Sequence, residues 1–153
     1  NYSMKICSNK DCKKQNPQPL TEFCKDRTHK DGLRTRCKEC TKRHHKQYLK
    51  TVKGKYKQYK ANAKHSNKKF NISLEFAERL FESDCYYCDA VPDPLNGIDR
   101  VDNDIGYIES NCVPCCNSCN RMKWITNKTD FENRILKIAK KVEARRSRIE
   151  EAK

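Results

Sequence analysis

The chain has 153 residues and carries 34 Lys and Arg residues against 20 Asp and Glu residues, a net charge of +14. A basic excess of this size is typical of proteins that bind nucleic acid. No apolar run approaches the roughly 18 residues of a membrane span, which excludes a membrane-spanning protein. Only 26 residues are Leu, Ile, Val or Phe, too few for an ordinary core. We therefore expect the 11 cysteines to stabilise the fold through bound zinc.

The first four paired cysteines predict an N-terminal zinc motif over residues 4–41. The spacing is Cys7-x4-Cys12 followed by Cys37-x2-Cys40, which supplies four thiolates for a closed tetrahedral site. No signal peptide precedes the first cysteine, and such pairs are typical of a reducing compartment. We therefore predict an intracellular protein, cytoplasmic or, if a phage or virus encodes it, in the host cell.

Residues 42–83 are predicted to form a basic helical connector that binds DNA. Apolar residues recur near helical spacing over residues 41–70, with Gly54 as the expected weak point. Lysines and tyrosines interleave along this helix, which suits phosphate contacts; a solvated connector helix is the alternative. A second helix is predicted over residues 71–83, with Ser73 as its N-cap.

A second metal unit is predicted over residues 84–128. It opens with Cys85-x2-Cys88, and two short alternating runs joined at Gly106–Tyr107 predict a β-hairpin. Two later pairs have ligand spacing, Cys112-x2-Cys115 and Cys116-x2-Cys119. We prefer the second pair because it leads directly into the helix that carries Asn120, which leaves the first pair as strand or turn residues.

The last segment, residues 129–153, is predicted to be a C-terminal helix. Thr129 to Glu132 has the pattern of a capping box. Apolar side chains then repeat at three and four residues and predict one packing face, made of Phe131, Ile135, Ile138, Ala139 and Val142.

Five short motifs resemble the HNH nuclease superfamily, whose core is the ββα-metal fold. The resemblance covers roughly residues 85–123 and is carried by CYYC, GIDRVDN, GY, Asn111 and CNSCNRMK. With the zinc motif ahead of this core, the chain resembles rare-cutting HNH restriction endonucleases and phage HNH homing endonucleases. The fold expected from the segments and the resemblance together is a small zinc-stapled α+β protein: an N-terminal four-cysteine motif, basic helices, a ββα-metal core and a C-terminal helix.

The resemblance also implies roles for single residues. Asp99 and Asn120 would hold a catalytic divalent cation, and Asn111 would keep the hairpin loop in shape. The cysteines of the two predicted sites would bind two structural Zn²⁺ ions, the second through Cys85, Cys88, Cys116 and Cys119. Carboxylate and amide ligands suit Mg²⁺, with Mn²⁺ as a substitute.

One position departs from the family pattern. The usual general base is a histidine directly after the metal-binding aspartate, but here that residue is Arg100. A guanidinium offers only donors and cannot accept a proton from water. Arg100 could instead hold the scissile phosphate, and the base would come from His65, Tyr59 or Tyr107.

These inferences predict a metal-dependent endonuclease that hydrolyses double-stranded DNA at a specific site, restriction-like or homing-like. Cleavage of both strands of a palindrome would need two copies, which favours a symmetric homodimer, whereas a monomer would nick. The alternative is a zinc-stapled nucleic-acid-binding regulator without nuclease activity, and Arg100 is the residue that favours it. A protein-interaction zinc domain would explain neither the charge nor the pairing of Asp99 with Asn120.

Overall fold

A computed structural model describes residues 3–151. Within them, short strands and five α-helices form a small α+β fold with two groups of four cysteines. The helices are α1 Lys38–Tyr48, α2 Val52–His65, α3 Leu74–Glu82, α4 Asn117–Lys123 and α5 Lys128–Glu151. The strands are β1 Met4–Lys5, β2 Gln18–Pro19, β3 Phe23–Lys25, β4 Leu33–Cys37, β5 Phe70–Asn71, β6 Gly97–Arg100, β7 Tyr107–Ile108 and β8 Cys112–Cys115. The chain divides into two units, Asn1–Thr51 and Val52–Lys153. This boundary falls inside the predicted connector, and the division into four segments stays a prediction.

The first unit is built from two antiparallel strand pairs and helix α1. Strand β1 pairs with β2, and β3 pairs with β4 so that Phe23 lies opposite Cys37. Its buried cluster consists of Phe23 and three cysteines, Cys7, Cys37 and Cys40. One aromatic ring and three thiols bury little apolar surface, so a metal ion held by the cysteines would add stability that this core lacks.

The second unit has the larger core. Strands β6 and β8 form an antiparallel pair in which Asp99 lies opposite Val113, while β5 and β7 pair in parallel. The core lies between the β6–β8 pair and helices α2 and α3. Its buried members are Ile72, Ala77, Phe81, Ile98 and Cys112. Tyr59 packs on Phe81 with ring centroids 5.7 Å apart, so a residue of α2 is fixed against the core beside β6.

The single helix predicted over residues 41–70 is wrong, because the chain forms α1 and α2 with a break at residues 49–51. The break is stabilised locally: the backbone N–H and the hydroxyl of Thr51 both donate to the Tyr48 carbonyl, at 3.0 and 2.7 Å. A threonine that bonds a nearby carbonyl in this way competes with helix continuation. Gly54, the expected weak point, is buried near the start of α2.

The predicted hairpin is correct for β6 and β8 but not for its turn. Gly106 and Tyr107 do not form the turn; Tyr107 belongs to β7, and its N–H donates to the Lys69 carbonyl at 2.7 Å. A Cβ atom at Gly106 would lie 2.4 Å from that carbonyl oxygen. The glycine therefore permits a close backbone approach, which produces the same local pattern as a turn.

The caps of α3 and α5 had different outcomes. Ser73 caps α3 as predicted, since its hydroxyl accepts the Phe76 N–H at 3.0 Å, although the helix begins at Leu74 rather than at residue 71. The capping box at Thr129 is wrong: the Asn127 side chain accepts the Asp130 N–H at 2.9 Å, and Thr129 lies inside α5. Asn127 and Thr129 are both possible cap residues ahead of Asp130, so the local pattern did not show which of them caps α5.

The predicted packing face of α5 is realised only in part, and Ile135 and Val142 are half-buried. Phe131 is buried against Tyr87 with ring centroids 5.3 Å apart, whereas Ile138 and Ala139 are exposed. The exposed part of α5 is rich in Lys, Arg and Glu, as expected for a solvated helix. Within residues 3–151, no helix is long and apolar enough to cross a membrane.

Candidate metal centres and active site

The four cysteines of the N-terminal motif come together as predicted. Their sulfur atoms all lie within 4.8 Å of one another and could hold one metal ion. Cys7 follows β1, Cys37 ends β4 and Cys40 lies in the first turn of α1, so the group ties strands to a helix. Three of the four are buried, which fits a closed structural site rather than an open catalytic one.

Hydrogen-bond donors surround these sulfur atoms. The Asn9 amide and the Arg43 guanidinium donate to Cys40 Sγ at 3.2 and 3.3 Å, and the Cys37 N–H donates to Cys7 Sγ at 3.3 Å. Donors at this range stabilise thiolates and orient metal ligands. The group therefore has both the sulfur set and the supporting contacts that Zn²⁺ requires.

The second group of sulfur atoms resolves the choice between two pairs. It consists of Cys85, Cys88, Cys116 and Cys119, whose sulfur atoms also lie within 4.8 Å of one another. Cys116 is the N-cap residue of α4, and its sulfur accepts the Cys119 N–H at 3.4 Å. Cys112 instead packs in the core with Ile98, and both Cys112 and Cys115 are residues of β8.

A cavity of about 410 Å³ opens beside β6 and the start of α4. Its lining residues come from α2, β6, β7 and the chain around α4, and they are Lys55, Gln58, Tyr59, Asn62, Ile98, Asp99, Arg100, Asn103, Tyr107, Asn120 and Trp124. The four residues from α2 are spaced at three and four positions, so one face of that helix forms a wall. Asp99, Arg100 and Asn120 are thereby brought together as predicted.

Asp99 is the buried carboxylate of the cavity and has two partners. It is 4% exposed, and its Oδ2 accepts the Tyr87 hydroxyl at 2.8 Å. Lys123, which is 0% exposed, donates to Asp99 Oδ1 at 3.3 Å and to the Arg100 carbonyl at 2.9 Å. An ionised carboxylate offers about four acceptor positions, so these bonds leave room for a cation on the cavity side. Burial and the hydrogen bond to Asp99 together raise the pKa of Tyr87, which stays a neutral donor.

Asn111 organises the connection between β6 and β8. Its side-chain oxygen accepts the Asp102 N–H at 2.9 Å, and its amide nitrogen donates to the carbonyls of Asp102 and Gly106 at 2.9 and 3.1 Å. Asn111 is buried, so these bonds are shielded from water. They are the contacts that a residue holding this loop in shape would make.

Arg100 lies across the cavity wall with part of its hydrogen bonding already used. Its Nη1 donates to the carbonyls of Asn103 and Ile105 at 2.6 and 2.8 Å, and its guanidinium lies 5.3 Å from the centroid of the Tyr107 ring. Those two bonds use both N–H groups of Nη1. A phosphate oxygen would therefore be contacted by Nη2 or Nε.

The three candidate bases are not equally placed. Tyr59 and Tyr107 line the cavity, whereas His65 is the exposed last residue of α2 and does not line it. The Tyr59 hydroxyl accepts the Ile98 N–H at 2.9 Å, and burial raises the pKa of Tyr59 to about 12. Gly97 permits this contact, because a Cβ there would lie 2.7 Å from the hydroxyl. Burial also raises the pKa of Tyr107, against the opposing effect of Arg100.

Sequence reasoning missed several residues that shape this site. Lys123 and Tyr87 contact Asp99 from distant positions; both lie in quoted motifs, but the motifs gave neither residue a role. Lys55, Gln58 and Asn62 share a helical face with Tyr59, and this spacing could have identified them. Asn103, the last residue of the GIDRVDN motif, also lines the cavity, and sequence reasoning assigned it no role.

Comparisons with known proteins give two likenesses. No protein-family model matches the chain. A protein of Acanthamoeba polyphaga mimivirus, "Uncharacterized protein R423", is 44% identical over 78 residues, which are 50% of this chain and 15% of that protein. The structure is similar to the rare-cutting HNH restriction endonuclease PacI, with a TM-score of 0.46 and 17% identity, over 93% of this chain and 98% of that one. The two cysteine groups fit the predicted zinc sites.

Zinc content should distinguish the two candidate cysteine pairs. The purified chain is expected to carry one Zn²⁺ for each group of four sulfur atoms. Cys116→Ser should lose the second ion, while Cys112→Ala should keep both, because Cys112 lies in the core. Elemental analysis of zinc per chain would measure this. The reverse result would assign the second site to Cys112 and Cys115.

Lys123→Met should strongly destabilise the second unit. The substitution leaves the buried Asp99 carboxylate without its cation, and breaking one side of such a pair costs about 3–5 kcal/mol. Lys137→Met, on the exposed face of α5, is the matched control and should change the free energy of unfolding by less than about 0.5 kcal/mol. Urea unfolding of the zinc-loaded proteins would compare them. Equal midpoints would show that the pair adds no stability.

Proposed function

We propose that this chain is a metal-dependent DNA endonuclease of the HNH type that hydrolyses phosphodiester bonds in double-stranded DNA at a specific site. The observation that carries the proposal is one cavity that brings together Asp99, Asn120 and Arg100. A carboxylate and an amide are ligands for a hard cation, and a guanidinium recognises phosphate. The net charge of +14 supports a polyanionic substrate.

The α2 wall supplies contacts for the DNA backbone. Lys55, Gln58 and Asn62 line the cavity, and further lysines follow along the helix. Lys55 also donates to the Leu95 carbonyl at 3.0 Å, so its ammonium is held in place rather than left mobile. Burial lowers the pKa of Lys55. Held polar groups of this kind position a phosphate in register with the metal ligands.

Asp99 and Asn120 would bind Mg²⁺, or Mn²⁺ in its place. Asp99 retains acceptor positions beyond its bonds to Tyr87 and Lys123, and Asn120 is exposed in the middle of α4. No third group of three His, Cys, Asp or Glu ligands forms within residues 3–151, so two protein ligands leave most positions to water and phosphate. When bound, the cation supplies charge neutralisation at the phosphate and the leaving oxygen.

Arg100 and Tyr59 complete the proposed mechanism. Arg100 would hold the scissile phosphate and stabilise its developing charge, since the two carbonyl bonds fix the orientation of its guanidinium. Tyr59 is the preferred base because its hydroxyl oxygen lies in the cavity wall, fixed by the Ile98 N–H. After its phenol has lost its proton to solvent, Tyr59 would take a proton from the attacking water, and 5′-phosphate and 3′-hydroxyl ends are the expected products.

The biological setting follows from the same chemistry. Thiolate ligands must stay reduced, so the zinc sites favour an intracellular location. Cleavage of both strands of a palindromic site would need two active sites, and a symmetric homodimer would supply them. The second candidate is a regulator that binds DNA without cutting it. It is favoured because position 100 has an arginine where the family pattern has the histidine that acts as general base.

Plasmid cleavage should test the proposal directly. Supercoiled plasmids incubated with Mg²⁺ or Mn²⁺ should give discrete products with the unaltered chain. Asn120→Ala should slow cleavage by about 10²-fold or more, because it removes a ligand of the ion that stabilises the transition state. Asn117→Ala is the matched control, an exposed asparagine of α4 that does not line the cavity. DNA binding without cleavage under either ion would make the regulator the leading account, and equal rates for the two variants would remove Asn120 as a ligand.

Tyr59→Phe should identify the base. It keeps the ring that packs on Phe81 and removes the hydroxyl, so cleavage should fall by about 10²–10⁴-fold while the fold is retained. Since the pKa of Tyr59 is raised to about 12, the cleavage rate of the unaltered chain should rise with pH across the neutral range. Tyr107→Phe and His65→Ala are the comparisons. A normal rate for Tyr59→Phe with a slow rate for either comparison variant would move the base to that residue.

A further inference from the structure

A single tryptophan stands at the edge of the cavity. Trp124 is the only tryptophan of the chain and directly follows α4, within the lining that includes Asp99 and Asn120. It is 75% exposed, while its neighbour Lys123 is completely buried. An indole is the largest apolar side chain, and leaving it in water gives up the stabilisation that burial would provide. Packing in the core therefore does not explain why a tryptophan occupies this position.

The backbone of Trp124 is also unusual. Its φ is +48° and its ψ is −115°, a region that side-chain-bearing residues rarely occupy. Such conformations persist only where surrounding contacts impose them, and they concentrate at functional sites. The strain at Trp124 is thus a second observation, independent of its exposure.

The contacts that impose this conformation are present. The Trp124 N–H donates to the Asn120 carbonyl at 2.9 Å, and the Asn103 amide donates to the carbonyls of Trp124 and Thr126 at 3.4 and 2.9 Å. The Thr126 N–H donates to the Lys123 carbonyl at 3.0 Å. The turn is fastened both to α4 and to the loop after β6. It presents the indole on a fixed frame, which lowers the entropy cost of binding.

The surroundings of Trp124 select the ligand. Lys55 and Arg100 line the same cavity, and Arg121 is exposed on α4. Cationic groups beside an exposed aromatic ring are the combination by which proteins bind nucleic-acid strands: the charges hold phosphates and the ring stacks on a base. A paired duplex shows only the edges of its bases in the grooves, so a ring can stack only on a base that has left its stack.

We propose that Trp124 stacks on an unstacked nucleobase of the bound DNA, beside the phosphate that Arg100 would hold. This inference rests on DNA as the substrate of the proposed function. It adds a base-binding subsite, formed by one indole on a fixed turn, to a cavity whose other proposed contacts are to phosphate and metal.

Binding measurements without added divalent cation, so that no cleavage occurs, test the subsite. Two labelled duplexes of the same sequence are compared, one fully paired and one with a single unpaired base. Trp124→Ala should weaken binding of the second duplex by about 5- to 150-fold, the range for loss of one stacked base, and change binding of the first much less. Trp124→Phe retains a ring and should recover most of the difference.

Ile125→Ala is the matched control. Ile125 is 70% exposed and adjacent, so its removal deletes apolar surface without deleting a ring. Tryptophan emission gives a direct second readout, because it reports on Trp124 alone: the unpaired-base duplex should quench it more than the paired duplex does. Equal losses for Trp124→Ala and Ile125→Ala on both duplexes, or emission unchanged on binding, would overturn the proposal.

Two further outcomes separate this inference from its neighbours. Emission that changes with protein concentration in the absence of DNA would show that a second copy of the chain covers the indole, and would overturn base stacking. Selective binding of the unpaired base through Trp124 without any cleavage by the chain would uphold the subsite and contradict the nuclease. Normal cleavage with no role for Trp124 in binding would uphold the nuclease and contradict the base-binding subsite.

Discussion

The buried ion pair between Lys123 and Asp99 is the interaction on which the candidate site depends. Lys123 is the last residue of α4, Asp99 lies in the middle of β6, and their contact joins the helix to the strand. A metal ion in the second group of four cysteines would hold the start of the same helix through Cys116 and Cys119. With α4 fixed at both ends, Asn120 in its middle has little freedom relative to Asp99. The two proposed metal ligands are therefore positioned by groups that do not themselves contact the proposed cation.

The thin core explains why stability is concentrated at a few such points. The buried apolar residues of the second unit number only a handful, and the first unit buries one phenylalanine among its cysteines. Burial of so little apolar surface balances poorly against chain entropy. Metal binding adds folding free energy that does not require more apolar residues. This leaves the outer faces of α2 and α5 available for Lys and Arg, and hence for a large positive charge on a small fold.

Features that depend on residues close together in sequence could be predicted, whereas features that depend on distant residues could not. Cysteine spacing is local and chemically specific, so both four-sulfur groups were identified. Helix caps are also local, but Asn127 and Thr129 offer similar patterns two residues apart, and the wrong one was chosen. Gly106 shows the limit more clearly, because a turn and a close strand approach both favour glycine, and the approaching Lys69 carbonyl is distant in sequence.

Lys123 ends the CNSCNRMK motif, but the motif does not indicate that its side chain is buried. A lysine in a basic chain is expected on the surface, and its burial here depends on Asp99, 24 positions away. Likewise, the strain at Trp124 depends on contacts from Asn103, which comes from the loop after β6. The fold was accessible from short motifs, whereas the details that shape the site arise where segments distant in sequence meet.

The charges of the cavity determine which ligand it attracts. The one carboxylate, Asp99, is already compensated by Lys123, and Arg100 and Lys55 add two further positive charges. An empty cavity of this kind attracts a phosphate more strongly than it attracts a divalent cation. Once a phosphate occupies it, the added negative charge and oxygen atoms complete a coordination shell that Asp99 and Asn120 only begin. In the proposed nuclease the substrate is therefore part of the metal site, and this places the cation where a phosphodiester is bound.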